Sequence, residues 1–450
     1  MNFDFDVVII GTGIAGSTVA FDCASKKLKV LIADNRPFGG TCALRGCDPK
    51  KVLIGVAEVI ERIENLRGKG LEGEVRIKWE DLIKFKKSFT DTYPDKLEKS
   101  LHKNSIDSMH GTVKFIDKNT VEVNDEKITA KYIVVATGSK PLNLGIEGEQ
   151  HILTSDDFLD LEIIPKNIVF IGGGYISFEL AHIASRAGAS VRIIHRGKTA
   201  LKNFDQDIVS IMIKSSKESG INIDLETEPI KISKLDNKYE IICLDKKSMK
   251  EIKLDADLIF HGAGRIPNIS ELKLEAGFVD YTSHGITVNE YMQSVSNPSV
   301  YAAGDVADWG IPLTPVAAIT AGIVSNNIIQ NNIEKINDSP IASTVFTIPS
   351  LSSVGLSEKD AKIKGIDYAS KLVETSTWYN SKRIGQKYSA YKILIDKKKN
   401  SLIGATIYGY NSEEVINLFL LAIETGINVD NFLRLMWSYP SYTYDMKYMI

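Results

Sequence analysis

Residues 6–16 read DVVIIGTGIAG. An unbroken β-branched run at Val7–Ile10 fits a strand buried on both faces. The glycine pattern that follows, Gly11, Gly13 and Gly16, fits a tight turn into the helical stretch STVAFDCASKK. The next apolar run, KVLIAD, reads as a second parallel strand ending in Asp34, 18 residues past Gly16, where a carboxylate accepts ribose hydroxyls. The three glycines play different parts. Gly11 makes the turn, Gly13 lets a pyrophosphate approach the backbone, and Gly16 lets helix and strand close on each other. The helix N-terminus adds free N–H groups and the positive end of its dipole. Strand, turn, helix and acid together predict a dinucleotide-binding unit.

The same grammar returns about 160 residues later in NIVFIGGGYISFELAHIASRAG and SVRIIHR, with Gly172, Gly174 and Ser177 as the small positions. No acid ends this second strand. His195, Arg196 and Lys198 stand there instead, and cations attract the extra phosphate of NADP where a carboxylate would repel it. NADPH is therefore expected in preference to NADH. Between the two units, residues 52–105 carry helical spacing and KYIVVATGSKP returns to a strand. ADLIFHGAGRIPN and SVYAAGDVAD are two further strands stopped by small residues. From about residue 338, YKILIDKK, LIGATIYGY and SEEVINLFLLAIETG suggest a separate α+β domain.

Composition narrows the function. With 450 residues the chain exceeds one ordinary core, and 44% hydrophobic with 25% charged residues is a globular mix. A formal net charge of -3 offers no basic excess for nucleic acid. The first apolar run is glycine-broken and follows Asp4 and Asp6, so neither a signal peptide nor a membrane span is expected. Four cysteines do not make a disulfide framework, which points to a reducing cytoplasm. Two of them, Cys42 and Cys47, lie five apart in GGTCALRGCDPKK, residues 39–51. Such a pair reads as chemical rather than structural, and five residues suffice to close a small disulfide ring. A metal site would need two more soft ligands, and Cys23 and Cys243 read as buried thiols of a helix and a strand.

These motifs resemble the FAD-dependent pyridine nucleotide-disulfide oxidoreductases, the group of glutathione reductase, dihydrolipoamide dehydrogenase and mercuric reductase. The match runs through Gly39, Gly40, Thr41, Cys42, Cys47, Pro49 and Lys50, then ATG at 136–138, GGGYISFE at 172–179, GRIPN at 264–268, AAGD at 302–305 and LTPVA at 313–317. The resemblance implies an α/β fold with two Rossmann-like dinucleotide-binding domains, for FAD and NAD(P), and a C-terminal α+β dimerisation domain. Its implied boundaries are 1–144 for FAD, 145–264 for NAD(P), 265–337 for a central domain completing the FAD site, and 338–450 for the interface. A homodimer is implied with them.

The implied chemistry is electron flow from NADPH through FAD and the Cys42–Cys47 disulfide to a small disulfide or related acceptor. Cys42 is then the interchange thiol, and Cys47 the charge-transfer thiol beside the flavin. Lys50 and Glu179 form an ion pair near the flavin's reactive nitrogen, and Tyr175 covers the nicotinamide pocket. Gly11, Gly13, Gly16 and Asp34 hold the ADP half of FAD, Asp305 its ribityl or pyrophosphate region, and Thr314 lies beside the ring. The cofactor-binding set is completed by Gly40, Thr41, Thr137, Gly138, Gly172, Gly174, His195, Arg196, Gly264 and Arg265. No resident metal is expected.

The resemblance breaks at the C-terminus. Disulfide reductases of this family carry HPTxxE there, the His protonating the departing thiol. This chain has SYPSYTYD, with Tyr439 in the His position and Tyr444 in that of the Glu. The seven histidines end at His284, so no neighbour repairs the loss. A phenol with an ordinary pKa near 10 is a poor proton shuttle at neutral pH. Mercuric reductases also carry a Tyr here, which makes Hg(II) an alternative acceptor. They usually add a C-terminal cysteine pair and a Cys-rich leading domain, whereas this chain has no Cys after Cys243. A flavin-binding protein with a vestigial redox centre is a third alternative.

Overall fold

The computed structural model describes residues 2–337 and 339–450. Met1 and Asp338, the first positions of the expected FAD-binding and interface domains, lie outside the described residues. The described residues divide into two compact units: 2–51, 84–142 and 265–337 form one, and 52–83, 143–264 and 339–450 the other.

In the first unit the strand Phe5–Ile10 lies between Val30–Asp34 and Glu126–Val135, all parallel, with Val8 opposite both Leu31 and Ile133. Asp107–His110 and Val300–Ala302 extend this sheet at its two sides, also parallel. Val7, Val8 and Ile9 are fully buried, as a strand covered on both faces requires, and each such side chain contributes about 1.5–3 kcal/mol. The strand Glu126–Val135 serves two sheets: its first residues pair antiparallel with Thr120–Val123 and its last residues parallel with Phe5–Ile10. The carboxyl ends of the central strands share one edge, so Gly11, Asp34, Thr137 and Asp305 follow strands that end together. That edge is where open parallel sheets bind ligands.

In the second unit Ile221–Leu225, Ser190–His195, Asn167–Ile171 and Leu258–His261 form a four-stranded parallel sheet, in that order. A three-stranded antiparallel sheet over 227–256 accompanies it. The same unit holds a five-stranded antiparallel sheet of Ser343–Val345, Leu351–Gly355, Ser401–Tyr408, Ala390–Asp396 and Tyr368–Glu374. The helix Ser412–Glu424 buries Val415, Ile416 and Phe419 in the core of this C-terminal sheet. Two Rossmann-like sheets and an α+β C-terminal part are the fold class expected from the sequence. Among the described residues one acidic cluster, Asp205, Asp207 and Glu358, has metal-like spacing. The buried ammonium of Lys392 sits in it, 2.9, 2.6 and 2.9 Å from the three carboxylates. No described helix is long and apolar enough to cross a membrane.

Candidate active site

Glycine geometry builds the first cradle. Gly11 has φ +107°, and a Cβ on it would lie 2.4 Å from the Ala136 carbonyl oxygen. A Cβ on Gly16 would lie 1.9 Å from the Gly11 oxygen, so the helix Ile14–Ser25 can leave the strand only through glycine. Gly13 differs: its φ is -67° and its nearest neighbour would be the Gly40 Cα at 3.8 Å. The protein itself leaves room for a side chain there, and what needs that space is a ligand. Gly13→Ala is accordingly expected to keep the Tm of the flavin-free protein and lose bound flavin, whereas Gly16→Ala lowers that Tm and loses flavin too. Thermal melts together with flavin-to-protein ratios check this contrast.

Thr12, to which the glycine pattern assigns no role, ties the cradle together. Its backbone N–H and Oγ1 both donate to Asp34 Oδ2, at 2.8 and 2.7 Å, and its Oγ1 accepts from the Gly39 N–H at 3.1 Å. Asp34 Oδ1 accepts from the Arg36 N–H at 3.0 Å. A carboxylate has about four lone-pair positions, so Asp34 braces the turn and keeps one acceptor position for a ribose. At the neighbouring strand end Ser139 Oγ donates to Asp305 Oδ2 at 2.9 Å, while Arg265 donates from Nε to Ser139 Oγ at 3.0 Å and from Nη2 to the Ser139 carbonyl at 2.6 Å. Arg265 thus acts on Asp305 through Ser139, a second link the sequence did not announce. The buried Thr137 Oγ1 has no hydrogen-bond partner among the described residues, and Gly138 beside it has φ +65°. An orphaned hydroxyl beside a glycine-lined edge fits a bound dinucleotide such as FAD.

The two cysteines belong to this unit. Gly40, at φ +70° with Gly13 Cα 2.4 Å from where a Cβ would stand, starts the short helix Gly40–Arg45, which carries exposed Thr41 and half-buried Cys42. Cys47 opens the long helix Cys47–Leu66, with Lys50 in its first turn. Neither sulfur is in a disulfide. They hydrogen-bond to each other, and this bond, with burial, pushes the Cys42 thiol far above its ordinary pKa. Thr314, first residue of the helix Thr314–Gln330, donates from Oγ1 to Cys42 Sγ at 3.3 Å and lies 3.5 Å from Cys47 Sγ. The hydroxyl expected beside the flavin therefore also bridges the two sulfurs. Cys23 and Cys243 are fully buried, and burial pushes each thiol up to about 12.

In the second unit Gly172 has φ +119°, and a Cβ on it would lie 2.3 Å from the Gly262 oxygen. Ser177, fully buried, takes the third small position, its Oγ 2.0 Å from where a Gly262 Cβ would stand. Gly174 precedes the helix Tyr175–Arg186, so Tyr175 begins it with a half-exposed ring. Gly264 follows at φ +128° with open space around it. His195 does not supply the expected positive charge. Its Nδ1 accepts from the Gly173 N–H at 3.0 Å and its Nε2 faces the Thr199 carbonyl at 3.1 Å, which fixes a neutral tautomer. Burial, then the charge of Arg196, lowers its pKa further. Arg196, Lys198 and Lys202 are exposed beyond it and carry the cationic character of this strand end. Glu179 is 3% exposed and its Oε1 accepts from the Phe346 N–H at 2.8 Å.

At the C-terminus Tyr439 is 70% exposed and meets Tyr444 edge to face, ring centres 4.8 Å apart. A ring contact thus stands where the family has a His–Glu pair. Asp445 does not replace the Glu: its Oδ2 accepts from Asn380 Nδ2 at 2.9 Å, and burial raises its carboxyl.

Two glycine-built nucleotide cradles and a hydrogen-bonded dithiol define a nucleotide-dependent dithiol oxidoreductase. The family model described as pyridine nucleotide-disulphide oxidoreductase matches residues 5–322, and the dimerisation domain of the same family matches 341–450. A glutathione reductase of Nostoc sp. is 32% identical over 459 residues, covering 98% of both chains. A mercuric reductase of Bacillus cereus is 29% identical over 451 residues, 99% of this chain and 71% of that protein. A dihydrolipoyl dehydrogenase of Bacillus subtilis is 28% identical over 442 residues, covering 97% and 93%. The chain belongs to the pyridine nucleotide-disulphide oxidoreductase family. It is an FAD-dependent enzyme that oxidises NADPH and carries the family's dimerisation domain.

Proposed function

We propose that this enzyme reduces a low-molecular-weight disulfide in the cytoplasm as a two-fold symmetric homodimer, with domains at 1–144, 145–264, 265–337 and 338–450. The observation that carries the reading is the pair Cys42 and Cys47 with the Thr314 hydroxyl between their sulfurs. Bound FAD supplies two-electron exchange between NADPH and this pair. Lys50 and Glu179 serve the flavin's reactive nitrogen, Tyr175 covers the nicotinamide, and Arg196 holds the nucleotide's extra phosphate. Cys42 Sγ attacks one sulfur of the acceptor, whose S–S bond breaks, and the first thiol leaves with a proton. Cys47 Sγ then attacks Cys42 Sγ, which re-forms the internal disulfide and releases the second thiol. The short chain of bonds from Thr314 keeps the two sulfurs in register for that closure.

Tyr439 of one subunit is assigned to face Cys42 of the other and to donate a hydrogen bond to the acceptor or the thiolate. Tyr439→Phe is expected to leave NADPH-driven bleaching of the flavin unchanged and to slow acceptor turnover about ten- to hundredfold, as loss of one hydrogen bond to a charged group does. Tyr439→His should raise activity toward ordinary disulfides and not toward metal ions. Unchanged turnover in Tyr439→Phe with every acceptor would leave the ring a packing role only. Hg(II) is a second reading, favoured by Tyr439 itself, since a metal ion needs no leaving-group proton. Turnover with Hg(II), lipoamide, oxidised glutathione and coenzyme A disulfide separates the two.

A further inference from the structure

Asp48 directly follows Cys47 in the first turn of the helix Cys47–Leu66, and it is exposed, as Cys47 is. Among the described residues it has no ion-pair partner, and burial of part of the side chain is what acts on its carboxyl. Its charge reaches Cys42. Tyr93 packs its ring so closely on the cysteine loop that a Cβ on Gly39 would lie 2.8 Å from it. Burial, then the charge of Asp48, keeps this phenol protonated. Asp48 and Tyr93 thus lie close to Cys42, and the Asp48 carboxylate brings negative charge there, to which a thiolate would add.

A carboxylate in this place works against the chemistry of an anionic acceptor. It disfavours the Cys42 thiolate, and it repels a carboxylate-bearing disulfide approaching that sulfur. Both costs reverse when the acceptor brings positive charge, because the cation is attracted to Asp48 and its approach favours the thiolate. A phenol ring on the same loop offers a cation a second favourable surface. We propose that Asp48 is a specificity-determining residue that selects a cationic acceptor, a small disulfide bearing ammonium groups next to its sulfurs. This rests on the disulfide reading above.

The test compares three disulfides of similar size, cystamine (cationic), 2-hydroxyethyl disulfide (neutral) and 3,3′-dithiodipropionate (anionic), with the holoenzyme and Asp48→Asn at low ionic strength. Wild type should prefer them in that order by kcat/KM. In Asp48→Asn the charged pair should shift about three- to tenfold each, in opposite directions, so that their ratio falls roughly 10- to 100-fold. A second readout needs no turnover. In the NADPH-reduced holoenzyme, the preference of Cys42 for iodoacetamide over iodoacetate should fall about three- to tenfold on Asp48→Asn, measured by mass on the peptide containing residues 39–51. A wild-type preference for the anionic disulfide, or ratios that Asp48→Asn leaves unchanged, would overturn the proposal. Turnover of Hg(II) with none of the disulfides would instead sink the disulfide reading and identify the cation as a soft metal, with the alkylation ratio still deciding the role of Asp48.

Discussion

Cys42→Ser is expected to purify with FAD and to lose disulfide turnover by roughly four orders of magnitude or more, the scale on which removing a nucleophile acts. Loss of rate alone would not separate the two cysteines, because either one breaks the relay. Their environments do. Cys42 sits half-buried with its proton held by Cys47 and by burial, whereas Cys47 opens a helix whose N-terminus favours a thiolate. With Cys42 gone, Cys47 remains as a thiolate beside the flavin and gives a long-wavelength absorbance. Cys47→Ser lacks that absorbance. Identical spectra from the two variants would reverse or void the assignment of roles.

Arg196→Glu is the second large effect, and it concerns the nucleotide. Wild type should turn over faster with NADPH than with NADH in kcat/KM, and the variant should erase or invert that preference. One lost charge-assisted phosphate contact is worth roughly 1.5–3 kcal/mol, about 10- to 150-fold. His195→Ala is the informative companion. Since His195 is neutral and braces the Gly173 N–H, its loss should weaken NADPH and NADH alike and leave their ratio near wild type. The ratio should also stay flat between about pH 6.5 and 8, because a histidine with a lowered pKa does not charge in that window. A preference that titrates there, or a wild type faster with NADH, would contradict this account of the pocket.

What the sequence made legible was steric. Gly11, Gly16 and Gly172 are positions where a Cβ collides with backbone, so the two cradles could be read from glycine spacing alone. The buried strands were legible for the same reason, as unbroken β-branched runs have few other places to go. Hidden were the contacts that join distant segments through a single polar atom. Thr12 looked like filler in GTG, yet its hydroxyl joins Asp34 to Gly39. Ser139 carried no motif signal and connects Arg265 to Asp305. His195 had the residue type of a phosphate ligand, and only the direction of its two ring nitrogens shows it to be a neutral brace. Asp48 and Tyr93 are 45 residues apart in sequence, and no periodicity announces that they lie close to each other and to Cys42.

Electrons from NADPH are expected to arrive at Cys42 and Cys47. Alkylation of the holoenzyme under anaerobic conditions, before and after one round of NADPH, reads this directly by mass. Oxidised enzyme should be unlabelled at both positions, and NADPH should open both to the reagent. Buried Cys23 and Cys243 should stay unlabelled throughout and so serve as the internal standard. Labelling of Cys42 and Cys47 that is the same with and without NADPH would rule out electron delivery to this pair.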